Sequence, residues 1–306
     1  MAVRARSTRK GDRRRMGHLA GPFRAERPLS RRPRGRHWTA VGLAFCAIAT
    51  TGSAGAQGIW DDPAFALYRQ AVEAMDRKDY AKASELSGQA IAQQPTHVLA
   101  HYLRGQAAMF QSRWEDAAAA FGKVVELYPG SFAAQRDLAG ANEQLNRVDD
   151  AARAYEAALA LRDEEQLRVR LAFMLLEAGQ QPRALPHLQA LADRETKVPE
   201  VWSTLGRLAY DKSDLAGAEK SFTRAATLRD EGRAWFNLGV VRTRLNDLPG
   251  ALQAYERAAQ HRETREPAQK EVAKVREAMK GPSTGTAPDR AMPGSAPGQP
   301  VPSRRY

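Results

Sequence analysis

His97 and His101 stand four residues apart, a spacing that puts two imidazoles on one helix face and supplies two of the ligands a zinc ion needs. No acid and no third imidazole lies near them in sequence, so they read as structural, and His187 and His261 stand alone. The run Asp163-Glu164-Glu165 offers carboxylates for acid–base work, but it reads as a solvated junction between helices. The only cysteine is Cys46. There is no His-Glu-x-x-His, no Gly-x-Ser-x-Gly, no Cys-x-x-Cys and no phosphate-binding glycine loop ending in Lys-Ser or Lys-Thr. The expectation is a protein without catalytic residues, cofactor or metal.

The formal charge of +12 would suit a polyanion partner if it were spread over a folded body. It is not. Residues 1–56 hold 13 of the 47 Lys and Arg against two acids, Asp12 and Glu26, which leaves 34 basic and 33 acidic groups for the remainder, a net of +1. A near-neutral body of mixed charge argues against nucleic-acid binding. The basic segment ends in Arg31, Arg32, Arg34 and Arg36. An uncharged apolar core from Trp38 to Thr50 follows, then Ala54-Gly55-Ala56 before Gln57, which is the order of an export signal. Cys46 would leave with it. The alternative is an uncleaved membrane anchor, since no charge occurs between Arg36 and Asp61. Either way the body is expected outside the cytoplasm, in the periplasm, and it meets a membrane only if the segment stays uncleaved.

The elements that would position any site come from a repeat. Alanines in a common context recur at Ala83, Ala117, Ala151, Ala184, Ala218 and Ala251, spaced 34, 34, 33, 34 and 33 residues. Four residues after each stands Ser87, Phe121, Tyr155, Leu188, Phe222 or Tyr255, and three further on another apolar residue, a spacing of one helix face. Twelve residues before each alanine stands a small residue, Ala71, Gly105, Ala139, Ala172, Gly206 or Gly239, where a second, antiparallel helix can approach closely. Turn pairs Lys78-Asp79, Ser213-Asp214 and Asn246-Asp247 separate the two. Each unit is a helical hairpin too small to bury its own apolar face.

This pattern resembles the tetratricopeptide repeat. Trp202, Leu205-Gly206, Ala218, Phe222 and Ala225 in the fifth copy, and Trp235, Leu238-Gly239, Ala251, Tyr255 and Ala258 in the sixth, match its motif; Pro95 and Pro129 close the first two copies. The resemblance implies an all-α, right-handed superhelical solenoid of six hairpins, at about 64–97, 98–131, 132–164, 165–198, 199–231 and 232–265. Asp62 and Pro63 start its first helix, and residues 267–280 form a capping helix with Ala268, Val272, Val275 and Met279 on one side. The solenoid thus spans 57–280, between the signal and a Pro-, Gly- and Ser-rich tail, 281–306, expected to be disordered.

The resemblance also implies where function lies, since in that family the first helix of each hairpin lines a concave groove. The corresponding positions here include Tyr68 and Val72 in the first copy, and Tyr102, Gln106, Met109 and Phe110 in the second. Arg136, Phe173, Arg207, Tyr210, Phe236 and Arg244 continue the groove through the later copies. An aromatic and methionine-rich wall at the amino-terminal end suits a peptide or helical segment of a protein partner. The expected function is a non-catalytic scaffold or adaptor, within an envelope assembly. The alternative is a membrane-tethered platform acting through its convex face or by self-association.

Overall fold

The computed structural model describes residues 62–280, and these are all-α. Six helical hairpins follow one another: α1 (Pro63–Asp76) with α2 (Tyr80–Gln93), α3 (Val98–Phe110) with α4 (Trp114–Leu127), and α5 (Phe132–Gln144) with α6 (Val148–Leu161). Then come α7 (Glu165–Glu177) with α8 (Gln181–Asp193), α9 (Pro199–Asp211) with α10 (Leu215–Leu228), and α11 (Gly232–Arg244) with α12 (Leu248–Ala258). A last helix, α13 (Arg265–Met279), packs on α12. Contacts run between neighbours in sequence, as in a solenoid. The segment expected to direct export and the carboxy-terminal tail lie outside the described residues. Among the described residues no helix is long and apolar enough to cross a membrane.

Every hairpin turns in the same way. The first helix ends in a left-handed residue, in turn Lys78, Ser112, Asn146, Gly179, Ser213 and Asn246. The next residue's N–H returns to a carbonyl in the last turn, as from Asp79 to Ala74 at 2.8 Å and from Asp214 to Ala209 at 2.9 Å. That same residue caps the second helix. Asp79, Asp214 and Asp247 accept from the N–H three residues on at 2.9–3.0 Å, whereas Arg113, Arg147 and Gln180 make no side-chain cap bond in the same place. Asp62 caps α1 through the Ala64 N–H at 2.9 Å, ahead of Pro63.

Inside each hairpin the small residue of the first helix meets a side chain sixteen residues on. A Cβ added at Gly105, Gly206 or Gly239 would stand 2.7, 2.9 and 2.7 Å from the rings of Phe121, Phe222 and Tyr255, all buried. It is therefore the ring, more than the alanine four residues before it, that fills the crossing. Where alanine replaces glycine, the opposed residues are Ser87, Tyr155 and Leu188.

Ion pairs staple successive hairpins at the surface, Arg183 to Asp149 at 2.7 Å, Arg194 to Asp163, and Arg257 to Asp230 at 2.7 Å, while Arg229 to Glu200 ties the two helices of the fifth hairpin. Each is half-exposed and adds at most about 1 kcal/mol. The closing helix begins at Arg265, two residues before the position expected from Pro267. It buries Ala268 and Val275, but Met279, expected on that apolar side, is exposed.

Candidate functional site

The first helices of the hairpins carry the candidate groove residues, and at the amino-terminal end these are half-buried or exposed. On α1, Tyr68 and Val72 are half-buried; the Tyr68 ring centroid lies 6.0 Å from that of Phe65 and 5.3 Å from that of His97. Burial raises the Tyr68 phenol above its ordinary pKa. On α3, Tyr102, Gln106 and Met109 are half-buried, and Phe110 is 63% exposed. The Phe110 ring stacks on Tyr80 with centroids 4.7 Å apart and planes at 10°. An exposed aromatic held flat by a second ring presents a preorganised apolar face.

A polar chain joins this wall to the third hairpin. Tyr102 Oη donates to Asp137 Oδ2 at 2.7 Å, and Arg136 Nε donates to Asp137 Oδ1 at 2.8 Å. Burial first, and then the Asp137 carboxylate, push the Tyr102 phenol well above its usual range. Deeper along α5, Glu143 accepts from Tyr155 Oη at 2.5 Å and from Arg170 Nε at 2.8 Å, tying α5 to α6 and α7. Asp137 and Arg170 did not stand out in the sequence, and Tyr155 did so only through its place in the repeat. Asp137 is adjacent to a groove position rather than on one, and Tyr155 belongs to the ring series of the second helices.

Farther along, the expected groove residues divide. Phe173 is half-buried and packs in a cluster with Ala172, Leu188 and Leu208. Arg207 on α9 is half-buried, and Arg244 on α11 is exposed with its guanidinium 4.5 Å from the Tyr210 ring centroid. Tyr210 and Phe236 depart from the expectation of open groove surface, with only 7% and 4% of their area exposed. Both belong to the core cluster around Phe222 and Tyr255, where Phe236 meets Tyr255 edge-on at 5.4 Å. In a solenoid the next hairpin covers such rings, which the position of an aromatic along its own helix does not reveal. The Tyr210 hydroxyl and the Nε of Arg207 are buried without a hydrogen-bond partner.

The residues that could have done other chemistry have structural work. His97 caps α3, its Nδ1 accepting from the Ala100 N–H at 3.2 Å, and His101 Nε2 lies 2.9 Å from the Pro95 carbonyl. Asp163 accepts from Arg194 and Arg168, and the Arg194 hydrogen bond holds its carboxyl below the ordinary range. Glu165 accepts from the Thr196 hydroxyl. Among the described residues no group of three or more His, Cys, Asp or Glu side chains could hold a metal ion.

The sequence pattern of the tetratricopeptide repeat matches residues 68–109, 102–165, 170–231 and 203–266. No curated protein matches the chain. Among solved structures the chain is similar to YrrB, described as a TPR protein with an unusual peptide-binding site, at 20% identity over 65% of this chain and 100% of YrrB, with a TM-score of 0.47. It is also similar to MamA of Desulfovibrio magneticus RS-1, at 21% identity over 42% of this chain and 73% of that one, TM-score 0.39. A further MamA structure gives 15% identity over 70% and 98% of the two chains, TM-score 0.35.

Proposed function

The chain belongs to the tetratricopeptide repeat family, and from that premise we propose that it is a non-catalytic scaffold whose groove holds a peptide or helical segment of another protein along α1 and α3. The observation that carries this reading is the exposed Phe110 ring stacked on Tyr80, beside half-buried Tyr68, Val72, Tyr102, Gln106 and Met109. Large, rigid aromatics with little rotamer entropy to lose are the anchors of protein interfaces. Arg136, held by Asp137, sits at the end of that wall and can meet an acidic or carbonyl group of the ligand. Phe173, Arg207 and Arg244 extend the surface toward the carboxy-terminal hairpins.

Phe110→Ala tests it cleanly, because the ring is exposed and its loss leaves no buried cavity. The variant is expected to unfold within about 0.5 kcal/mol of the parent, and to lose crosslinked partners in a pull-down from envelope extracts. Tyr102→Phe, which keeps the ring and removes the bond to Asp137, should retain them. Partners captured equally by parent and Phe110→Ala would place binding elsewhere.

The envelope location is part of the same proposal and rests on the basic segment, apolar core and Ala54-Gly55-Ala56. Amino-terminal sequencing of the protein from its native host should give a new terminus at Gln57. An intact terminus in a membrane fraction would favour the anchor, and an intact terminus in the cytosol would refute export.

A further inference from the structure

Around the third hairpin the polar groups of the first helices are satisfied within the protein, Tyr102 and Arg136 by Asp137, and Arg170 by Glu143. The last two hairpins differ. Their groove positions hold Arg207, Arg233 and Arg244 against one acid, Asp211, and among the described residues none of these four side chains is in an ion pair. By contrast, half-buried Arg168, Arg170, Arg183 and Arg242 each have a carboxylate at 2.7–2.9 Å.

Two donors at this end of the groove are buried as well as unmatched. Tyr210 is 7% exposed, and neither its hydroxyl nor the Nε of half-buried Arg207 has a hydrogen-bond partner. A buried donor without an acceptor costs stability, and a ligand that brings the acceptor removes that cost. Tyr210 follows Arg207 by three residues on one face of α9, and a long side chain on a helix leans back over the turn before its own. From α11, the exposed Arg244 places its guanidinium 4.5 Å from the Tyr210 ring centroid. Two cations and a phenolic O–H thus gather between α9 and α11.

We propose that this end of the groove takes a glutamate side chain of the partner segment, held by Arg207, Tyr210 and Arg244. The inference rests on the groove reading and adds the chemistry of the ligand at its second end. One carboxylate oxygen accepts from Arg207 Nε and the other from the Tyr210 hydroxyl, and Arg244 supplies a second positive charge from the exposed side. A carboxylate is the acceptor that both donors lack, and it brings the counterion that Arg207 and Arg244 lack. The two donors are buried while Arg244 is exposed, so the anion must reach inward on a stem of its own. A glutamate does so through two methylenes, whereas a terminal carboxylate would draw the main chain down between α9 and α11. A segment that seats apolar side chains against Phe110 and a glutamate here engages both ends of the groove.

The probe is N-acetylglutamate α-methylamide, a glutamate side chain with a blocked peptide group on each side, titrated into the isotope-labelled full chain while the Nε–H signals of Arg207 and Arg244 are followed by NMR. Both signals should move saturably. The glutamine analogue should leave them still, and N-acetylalanine, whose only carboxylate is on the main chain, should bind more weakly. Tyr210→Phe keeps the ring and removes the unmatched hydroxyl, so its denaturation midpoint should equal or exceed the parent's while probe binding weakens by about tenfold. Arg207→Lys, which keeps the charge and loses Nε, should weaken it by a similar factor, read on Arg244. Phe110→Ala should not alter the response, so a silent probe beside partner loss in Phe110→Ala would overturn this site and leave the groove on α1 and α3 standing. An equal response to either control compound, or full binding by Tyr210→Phe, would also overturn it.

Discussion

Replacing Phe222 by alanine is expected to lower the unfolding free energy of the solenoid by about 3–5 kcal/mol, the range for a fully buried phenylalanine whose site cannot collapse. The ring lies against Gly206 in its own hairpin and in one cluster with Tyr210, Phe236 and Tyr255 of the neighbouring helices, so its loss opens a cavity that several backbones must hold apart. A solenoid transmits stability only between neighbours, and weakening one hairpin should separate the unfolding of the last repeats from that of the first. Denaturant unfolding followed by circular dichroism should therefore show an early second transition in Phe222→Ala. The glycine gives a test of opposite sign from helix propensity. Alanine in a helix is normally favoured over glycine by about 1 kcal/mol, but a methyl at Gly206 would stand 2.9 Å from the ring and should cost about 1–3 kcal/mol instead. Gly206→Ala combined with Phe222→Leu should lose less than the sum of the two, because the smaller side chain makes room for the methyl. A stabilised Gly206→Ala would mean that the helices are free to slide apart at this crossing.

The same crossings show how much of the architecture is legible in the sequence. Alanines 33 or 34 residues apart, each preceded by a small residue and four of the six followed by a ring, fix both helices of a hairpin and their register, because only one pairing buries all three sets at once. The turns are legible through Asp79, Asp214 and Asp247. At Ser112 and Ser213, by contrast, nothing in the residue type announces a left-handed backbone. The groove is legible in its outline and less so in its surface. Phe110 and Tyr210 occupy neighbouring positions of their respective first helices, yet one is exposed and the other buried. One step along a helix turns a side chain by about 100°, and Tyr210 also joins a cluster with Phe236 and Tyr255 of the next hairpin.

Alkaline pH is expected to weaken the fold through its buried phenols, and Tyr255 isolates the effect. Burial pushes the Tyr255 phenol up to about 12, with the Thr243 hydroxyl pulling slightly the other way. In the unfolded chain the same group ionises at about 10. From about pH 10 upward the unfolded state releases its proton first, so it binds fewer protons than the folded state and stability falls with rising pH. The contribution is intact below about pH 10 and is lost progressively toward about pH 12, a change of about 2 kcal/mol for this one group. Tyr155 and Tyr102 act in the same direction, raised by burial and then by the carboxylates of Glu143 and Asp137 that accept hydrogen bonds from their hydroxyls. Tyr255→Phe keeps the ring against Gly239 and gives up only a 3.5 Å contact with Thr243, so near neutrality it should unfold within about 0.5–1 kcal/mol of the parent. By about pH 11.5 the variant should be the more stable by about 2 kcal/mol relative to that baseline, read from urea unfolding at each pH. Tyr155→Phe should begin lower, because it loses the bond to Glu143 and leaves that carboxylate with Arg170 alone among these two donors, and should then close the gap as the pH rises. A constant difference between Tyr255→Phe and the parent across this range would show that the phenol reaches solvent without unfolding, and the close packing of the sixth hairpin's ring on Gly239 would have to be abandoned.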